Sequence, residues 1–521
     1  MKIILRVLIG IFVLVLVTII VNAFVVEPWV QKKMETAFNE TTADYNLKIG
    51  RVHLSVFRPE VEIEDIVIQS IHEKNGVPSL TGMITSVKII GINLRKAIFD
   101  KDIEVSEVNI SKSSIVGQIL FEKQTKAPKI STLNIRIDRL IFDKLGVDIK
   151  DSSSLSEYVL KDAIFKAYDL HIEKRDTFTT KIISKFDFDV EAFDGVSADS
   201  MYTYKAIGLN YSGNKNVLSV SHFSIHPNYK DYEFTSLYQF QTDRIEADLN
   251  AINFYEFSVP DYLKTGSLIC SYIEIGKMDI NAFRDKRKPF KHINKPAFQD
   301  MIYNYPGKID IDSIAFLAGN IGYTEHAEKA SEPGNIQFNQ FNARLYKITN
   351  DTIYKTKKAF MELKTEAMLM GKSEIVIALK SQIFNTSNTF TVDCSISKMK
   401  ISDLRSMLEN NARINVPSGI IDGMKFNFTA NNTKALGKMT FLYHGLDFTA
   451  KNKQTDKKGV KAWILSLLGD KIILDSNPLP GEQIRIGIID QERDPERFLF
   501  NYCAKSIFSG IKQSVNKTSG K

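Results

Sequence analysis

From Leu47 onward apolar and polar residues alternate with a period of two, the pattern of strands buried on one face. One octapeptide keeps returning within that alternation: apolar-x-apolar-x-x-apolar-x-apolar. It occupies Leu47–Leu54 (LKIGRVHL) and Val61–Ile68 (VEIEDIVI). It returns at Ile103–Ile110, Ile135–Phe142, Leu218–Ile225, Ile273–Ile280, Ile309–Phe316, Ile336–Ala343, Cys394–Ile401 and Phe441–Phe448, and more loosely at Val87–Leu94 and Phe165–Ile172. About ten strict copies occur where composition alone would give about six. The double-x step matters physically. One extra residue would throw the second half of the strand onto the other face, so a β-bulge must absorb it, and bulges bend and twist a sheet. The pattern predicts a mainly β body: an elongated, curved and bulged antiparallel sheet with one apolar face. Ile49, Val61, Ile63, Val105, Ile137, Val220, Ile275, Ile311, Phe338 and Ile396 are its inward candidates. Short helical patterns interrupt it near Leu155–Tyr168 and Val460–Leu468.

The two ends read differently. Val7 to Val26 carries no charge, and about 20 such residues suffice for a transmembrane helix. Lys2 and Arg6 precede it, which places the N-terminus in the cytoplasm and exports the rest. A cleaved signal peptide is the competing reading, because Val21-Asn22-Ala23 is a small-residue cleavage pattern. Against cleavage, the apolar run exceeds a signal core and continues through Phe24-Val25-Val26. Pro28 then suits a helix start, and Val30, Met34, Ala37, Phe38 and Thr41 share a face, predicting a helix over 28–43 with Trp29 at the bilayer interface. At the other end, Asp494-Pro495 reads as a helix start. Phe500, Ala504, Ile507, Ile511 and Val515 then line one face of an amphipathic helix, which either closes the end of the β core or touches a membrane or partner.

Composition narrows the function classes. The 521 residues are 44% hydrophobic and 25% charged, which is globular rather than disordered. A net charge of +7 on this length is no clustered basic footprint, so no nucleic-acid partner is expected. Cys270, Cys394 and Cys503 lie too far apart for a zinc motif and read as three free thiols behaving as small hydrophobes. His72-Glu73 lacks the second histidine of H-E-x-x-H, Gly371-Lys372-Ser373 lacks the upstream glycine of a phosphate loop, and Gly195–Asp199 ends in Asp where a nucleophile elbow needs Gly. The eight histidines are scattered, and Arg284-Asp-Lys-Arg-Lys288 reads as a solvated turn. No enzyme, metal or cofactor is expected.

Taken together, the anchor, the short helix, Leu47-Lys-Ile-Gly-Arg-Val-His-Leu-Ser-Val-Phe57 and Val61-Glu-Ile-Glu-Asp-Ile-Val-Ile68 resemble the N-terminal signature of the AsmA-like family of bacterial envelope proteins. Ile103–Ile110 leading into Ser114–Leu120 repeats the style, and Phe283–Arg287 through Tyr323 to Gly334–Phe338 looks like the long members of Bacteroidota. The resemblance implies a curved sheet folded into an apolar groove that holds phospholipid acyl chains and passes them between membranes. It also implies an inner-membrane anchor, a periplasmic body and a part in outer-membrane biogenesis. It supplies no catalytic residues and no cofactor. The implied organisation is an anchor (1–26), a juxtamembrane helix (27–45), an N-terminal β module (46–125), an elongated β-groove body (126–490) and a terminal amphipathic helix with its tail (491–521). The partners would be membrane lipids and outer-membrane or envelope assembly proteins. A non-transporting scaffold for outer-membrane protein assembly, with its core filled by its own side chains, is the alternative.

Overall fold

The computed structural model describes residues 15, 17–41, 45–71, 80–100, 102–119, 134–151, 156–172, 185–355, 360–411, 414–450 and 474–516. The chain is mainly β with few helices, and it divides into two compact units. The first comprises residues up to Phe223 together with Ser258–Lys264; the second comprises Ser224–Phe257 and Thr265 onward.

The first unit is an open sheet built from β1 (Tyr45–Lys48), β2 (Arg51–Leu54), β3 (Glu60–Ser70), β4 (Thr81–Ile90), β5 (Ile103–Ile119), β6 (Ile135–Asp151), β7 (Glu157–Ile172), β8 (Lys185–Val196), β9 (Tyr202–Ser212) and β10 (Val217–Pro227), within which the division between units falls. Both β1 and β2 pair with β3, and each later strand pairs with its predecessor. The second unit continues in chain order with β11 (Asp243–Tyr255), β12 (Leu268–Asp285), β13 (Ile309–His326), β14 (Gly334–Thr349), β15 (Phe360–Leu369), β16 (Ser373–Gln382), β17 (Phe390–Ile396), β18 (Met399–Lys400), β19 (Ile414–Ala430), β20 (Lys434–Ala450) and β21 (Ile486–Glu492). Here β17 and β18 both pair with β19.

Two pairs correct the all-antiparallel expectation: β5–β6 and β12–β13 are parallel. Parallel neighbours need a crossover of a dozen residues or more, and the connections 120–134 and 286–308 are long enough. A second correction concerns Leu155–Tyr168, expected to be helical: Glu157–Ile172 is a strand. The segment Val460–Leu468 lies outside the described residues.

The octapeptides do break the alternation, and they do so in matched sets. Their second x residue is repeatedly in the left-handed region: Asp65 (φ 53°), Asp169 (φ 52°), Gln340 (φ 51°), Gly91 (φ 72°) and Gly445 (φ 62°). The register aligns these breaks across neighbouring strands. Gly50, Asp65, Thr85, Lys112 and Lys144 lie side by side on successive strands from the β1–β2 link through β3, β4, β5 and β6. A second line runs from Gly91, just past the end of β4, through Ser106 and Asp138 to Asp169. In the second unit Ser271, Asp312 and Lys347 form another. Most of these breaks need no extra residue, because both strands of a pair turn at the same height; true register shifts occur between β6 and β7, β14 and β15, and β19 and β20. The consequence is the predicted one: Ile63 and Ile66, three apart, are both buried, as are Ile49 and Val52.

A helix over Glu27–Thr41 lies on the first strands, close to the predicted 28–43. Val30 and Met34 pack against Ile49, Val52, Ile63 and Ile66. Its polar side chains at four-residue spacing serve the outer edge of β1 and β2. Glu27 accepts from the Leu54 amide (2.9 Å), Gln31 donates to the Ile49 carbonyl (2.7 Å), Glu35 accepts from the Ile49 amide (2.7 Å), and Asn39 accepts from the Leu47 amide (2.7 Å). An edge strand otherwise offers its free amides and carbonyls to other chains.

Candidate functional site

Among the described residues no group of three or more His, Cys, Asp or Glu side chains could hold a metal ion, and what the registers build is a set of apolar rows running across the strands. In the first unit Val52, Ile63, Val87, Ile110, Phe142, Phe165, Phe188 and Tyr211 are successive cross-strand partners over eight strands, β2 to β9. Two residues along the strands runs a parallel row: Leu54, Val61, Ile89, Val108, Leu140, Ala167 and Phe186. Beyond the first line of breaks lies a third: Leu47, Ile68, Gly82, Ile115, Val147, Leu160, Phe193 and Ala206. The left-handed residues keep this third row on the same face as the others. At 4.7–4.9 Å per strand an eight-strand row is about 34 Å long. Its later part is aromatic, with Phe142–Phe165, Phe165–Phe186 and Phe188–Tyr211 ring centroids 6.3, 5.4 and 5.6 Å apart. The row between the first two, on the opposite face, contains Glu62, Lys88, Asn109, Lys166 and Asp187.

The second unit repeats the arrangement over ten strands. Phe254, Ile273, Ile314, Leu345, Leu363, Leu379, Val392, Phe428, Gly437 and Ile489 are successive partners.

The inward candidates named from the sequence all avoid exposure. Ile49, Ile63, Val105 and Ile311 are buried, while Val61, Ile137, Val220, Ile275, Phe338 and Ile396 are half-buried. Ile49, Val61 and Ile63 pack under the Glu27–Thr41 helix. Phe338 and Ile396 pack against a core that also holds side chains of the last helix, Leu499–Val515. At those places the face is covered by the protein itself.

That last helix corrects two expectations. It starts at Leu499 rather than at Pro495; Asp494 instead closes a turn, its carboxylate accepting from the Glu496 amide at 3.1 Å. Its buried stripe is Tyr502, Ser506, Gly510 and Ser514, of which the last three are small and let it approach β20 and β21 closely. Of the predicted face, Val515 is buried, Ala504, Ile507 and Ile511 are half-buried, and Phe500 is 60% exposed. The helix packs its side chains against the second unit's core.

Of the charged run Arg284–Lys288, Arg284 and Asp285 end β12 while Lys286 and Arg287 form a turn with Arg287 exposed, and the charges are paired rather than left to solvent. Arg287 forms a bidentate pair with the buried Asp285 (2.9 and 2.8 Å), Lys286 pairs with Glu325 (2.6 Å), and Arg284 pairs with Asp243. Beside them His326 is buried, its Nε2 bonded to the Ala330 carbonyl (3.0 Å), which leaves Nδ1 to accept from the Tyr232 hydroxyl (2.8 Å). Arg287 also lies over the Tyr232 ring, 5.0 Å from its centroid. Arg287 holds the Asp285 carboxyl below the usual aspartate range, and burial pushes the Tyr323 hydroxyl up. This network joins β11, β12, β13 and the helix Asp231–Ser236; the partners lie far apart in sequence, so no local motif announces it. The three thiols are free, and burial pushes Cys270 up to about 11 and Cys394 and Cys503 up to about 12. Among the described residues no helix is long and apolar enough to cross a membrane; the predicted anchor begins in residues outside the described set. No protein-family model and no curated protein matches the chain.

Proposed function

We propose that this is an AsmA-like protein of the bacterial inner membrane, anchored through residues 7–26 with its body in the periplasm. In this reading its apolar face holds phospholipid acyl chains, or passes them between membranes, in support of outer-membrane biogenesis. The observation that carries it is the set of uninterrupted apolar rows running perpendicular to the strands, eight and ten strands long. An acyl chain laid along such a row meets apolar side chains at every strand except where Gly82 or Gly437 stands, and needs no fixed polar partner. Burial favours this by about 0.8 kcal/mol per CH₂. The reading asks for no reacting group, and the polar network around Asp285 and His326 has its side chains engaged with one another rather than directed at a substrate.

One observation favours the second reading, a scaffold with a self-filled core: the Glu27–Thr41 and Leu499–Val515 helices cover parts of the face. Photo-crosslinking in cells separates the two. A benzoylphenylalanine at Phe165, within the aromatic part of the row, is expected to yield lipid adducts on irradiation. The same group at Lys166, on the opposite face, is expected to yield none. Adducts only to protein at Phe165 would replace the lipid reading with the scaffold.

A further inference from the structure

The end of the first unit at which the apolar N-terminal stretch arrives carries its own set of exposed apolar side chains. The Asn22 side chain donates to the Leu54 carbonyl (2.8 Å) and Glu27 accepts from the Leu54 amide, so Phe24, Val25 and Val26 are pinned at the end of β2. Two loops meet there. The β2–β3 turn exposes Val56 and Phe57, and the β4–β5 connection exposes Leu94 and Phe99. The loops are joined through the Pro59 carbonyl, which accepts from the Gly91 and Ile92 amides at 3.1 and 3.2 Å. Phe24 and Phe99 are each 78% exposed, Phe57 75% and Trp29 62%. Large aromatic groups left this open, on two loops fastened to each other and beside the end of an apolar stretch, are unlike scattered surface apolar residues.

We infer that Phe57, Leu94 and Phe99, with Phe24 and Trp29, form a rim that inserts into the lipid interface of the membrane where the chain enters it. The inference rests on the proposed membrane anchoring and adds an orientation to it. The occupant is a lipid surface because the rim is continuous with the uncharged stretch Val7–Val26. Aromatic rings suit the headgroup level, and the exposed Arg58 and Arg95 can extend their charged ends back toward water or lipid phosphate. With the rim embedded, β3 and its neighbours stand away from the bilayer, and of the three rows the one through Leu54, Val61 and Ile89 lies nearest the lipid.

The test uses the full chain in vesicles of phosphatidylcholine and phosphatidylglycerol. Phe57→Cys, Leu94→Cys and Phe99→Cys are each labelled with the fluorophore NBD, with Ile71→Cys as the control. Ile71 is also exposed but lies past the other end of β3, about 35 Å away at the rise of an extended strand. Labelling of the unsubstituted chain is subtracted. The expected result is blue-shifted emission that doxyl lipids quench at 57, 94 and 99, with no quenching at 71. Chains that float with the vesicles but show no quenching at the three rim positions overturn the rim and leave the anchor standing. Quenching at all four positions overturns the orientation. Chains that do not float with the vesicles overturn the anchor and the rim together.

Discussion

Glu35 accepts a hydrogen bond from the amide of Ile49 at 2.7 Å, and through it a helix side chain occupies a position that a neighbouring strand would otherwise take. Glu27, Gln31 and Asn39 do the same one turn apart along the helix. The edge of β1 and β2 is closed by side chains rather than by a strand.

Substituting Glu35→Ala should therefore cost about 1–2 kcal/mol, because it leaves an amide at a partly buried position without its charged acceptor. Combined with Asn39→Ala it should also reopen the edge. Light scattering of the double variant is expected to show association that the parent lacks. A monodisperse double variant would mean that the helix closes the edge by bulk alone.

Position 65 should tolerate glycine and reject branched side chains. Asp65 has φ 53°, where a β-branched residue is strained by about 1–3 kcal/mol. Asp65→Gly is expected to leave the denaturation midpoint nearly unchanged, while Asp65→Val lowers it. Across the pair, a Cβ at Gly50 would stand 2.7 Å from the Asp65 Cβ, so Gly50→Ala should destabilise by about 1–3 kcal/mol. Equal effects of glycine and valine at 65 would show that the break is not set by backbone conformation.

The last helix should detach when its stripe is enlarged. A Cβ at Gly510 would meet Ile489 at 2.9 Å and Met439 at 3.1 Å. Gly510→Leu is expected to cost about 3 kcal/mol and to make Leu499–Val515 a site of early proteolysis, while Ala504→Leu on the half-buried flank costs less. Protection of the helix in both variants would place its hold elsewhere, in the flanking Ile507 and Ile511.

The thiols should be silent in the folded chain. Iodoacetamide at pH 8 is expected to alkylate Cys270 and Cys394 only after denaturation, since both are buried and neither is a thiolate at that pH. The pH dependence has a defined sign. For Cys394 the folded value of about 12 lies above the ordinary 9.0, so the unfolded chain loses its proton first. Its contribution to stability is constant below about pH 9 and falls as pH rises toward 12. Cys394→Ala should flatten that alkaline limb in a denaturation series; an unchanged limb would assign it to the buried tyrosines.

Much of the strand content was legible because alternation and the double-x step are local. Ile63 and Ile66 announce a break between them whatever the rest of the chain does. The helix over Glu27–Thr41 was legible from Val30 and Met34 for the same reason. Pairing was not. Nothing near Ile119 or Ile135 in sequence says that β5 and β6 run parallel; that follows from a crossover. In β7 the left-handed Asp162 sets Leu160 and Ala163 three apart, a spacing that imitates a helical turn and hides a strand. The Arg284–Lys288 run looked solvated because its partners Asp243 and Glu325 are supplied by other strands. Of the apolar face, the residues could be named but not their cover, since Phe338 packs on a core that is also joined by the last helix, more than 150 positions later.

Strand β12 shows what this construction means for the chain's history. Ile273, Met278 and Phe283 are buried at intervals of five, and Ile275, Ile280 and Asp285 follow two positions behind each. A strand of plain alternation keeps phase under any gain or loss of two residues. This one keeps phase only in steps of five, and the strands paired with it must change by the same step at the same height. Single-residue insertions and deletions within such strands are therefore frameshifts of the sheet, and length variation between related chains should accumulate in the connections or arrive as whole paired strands.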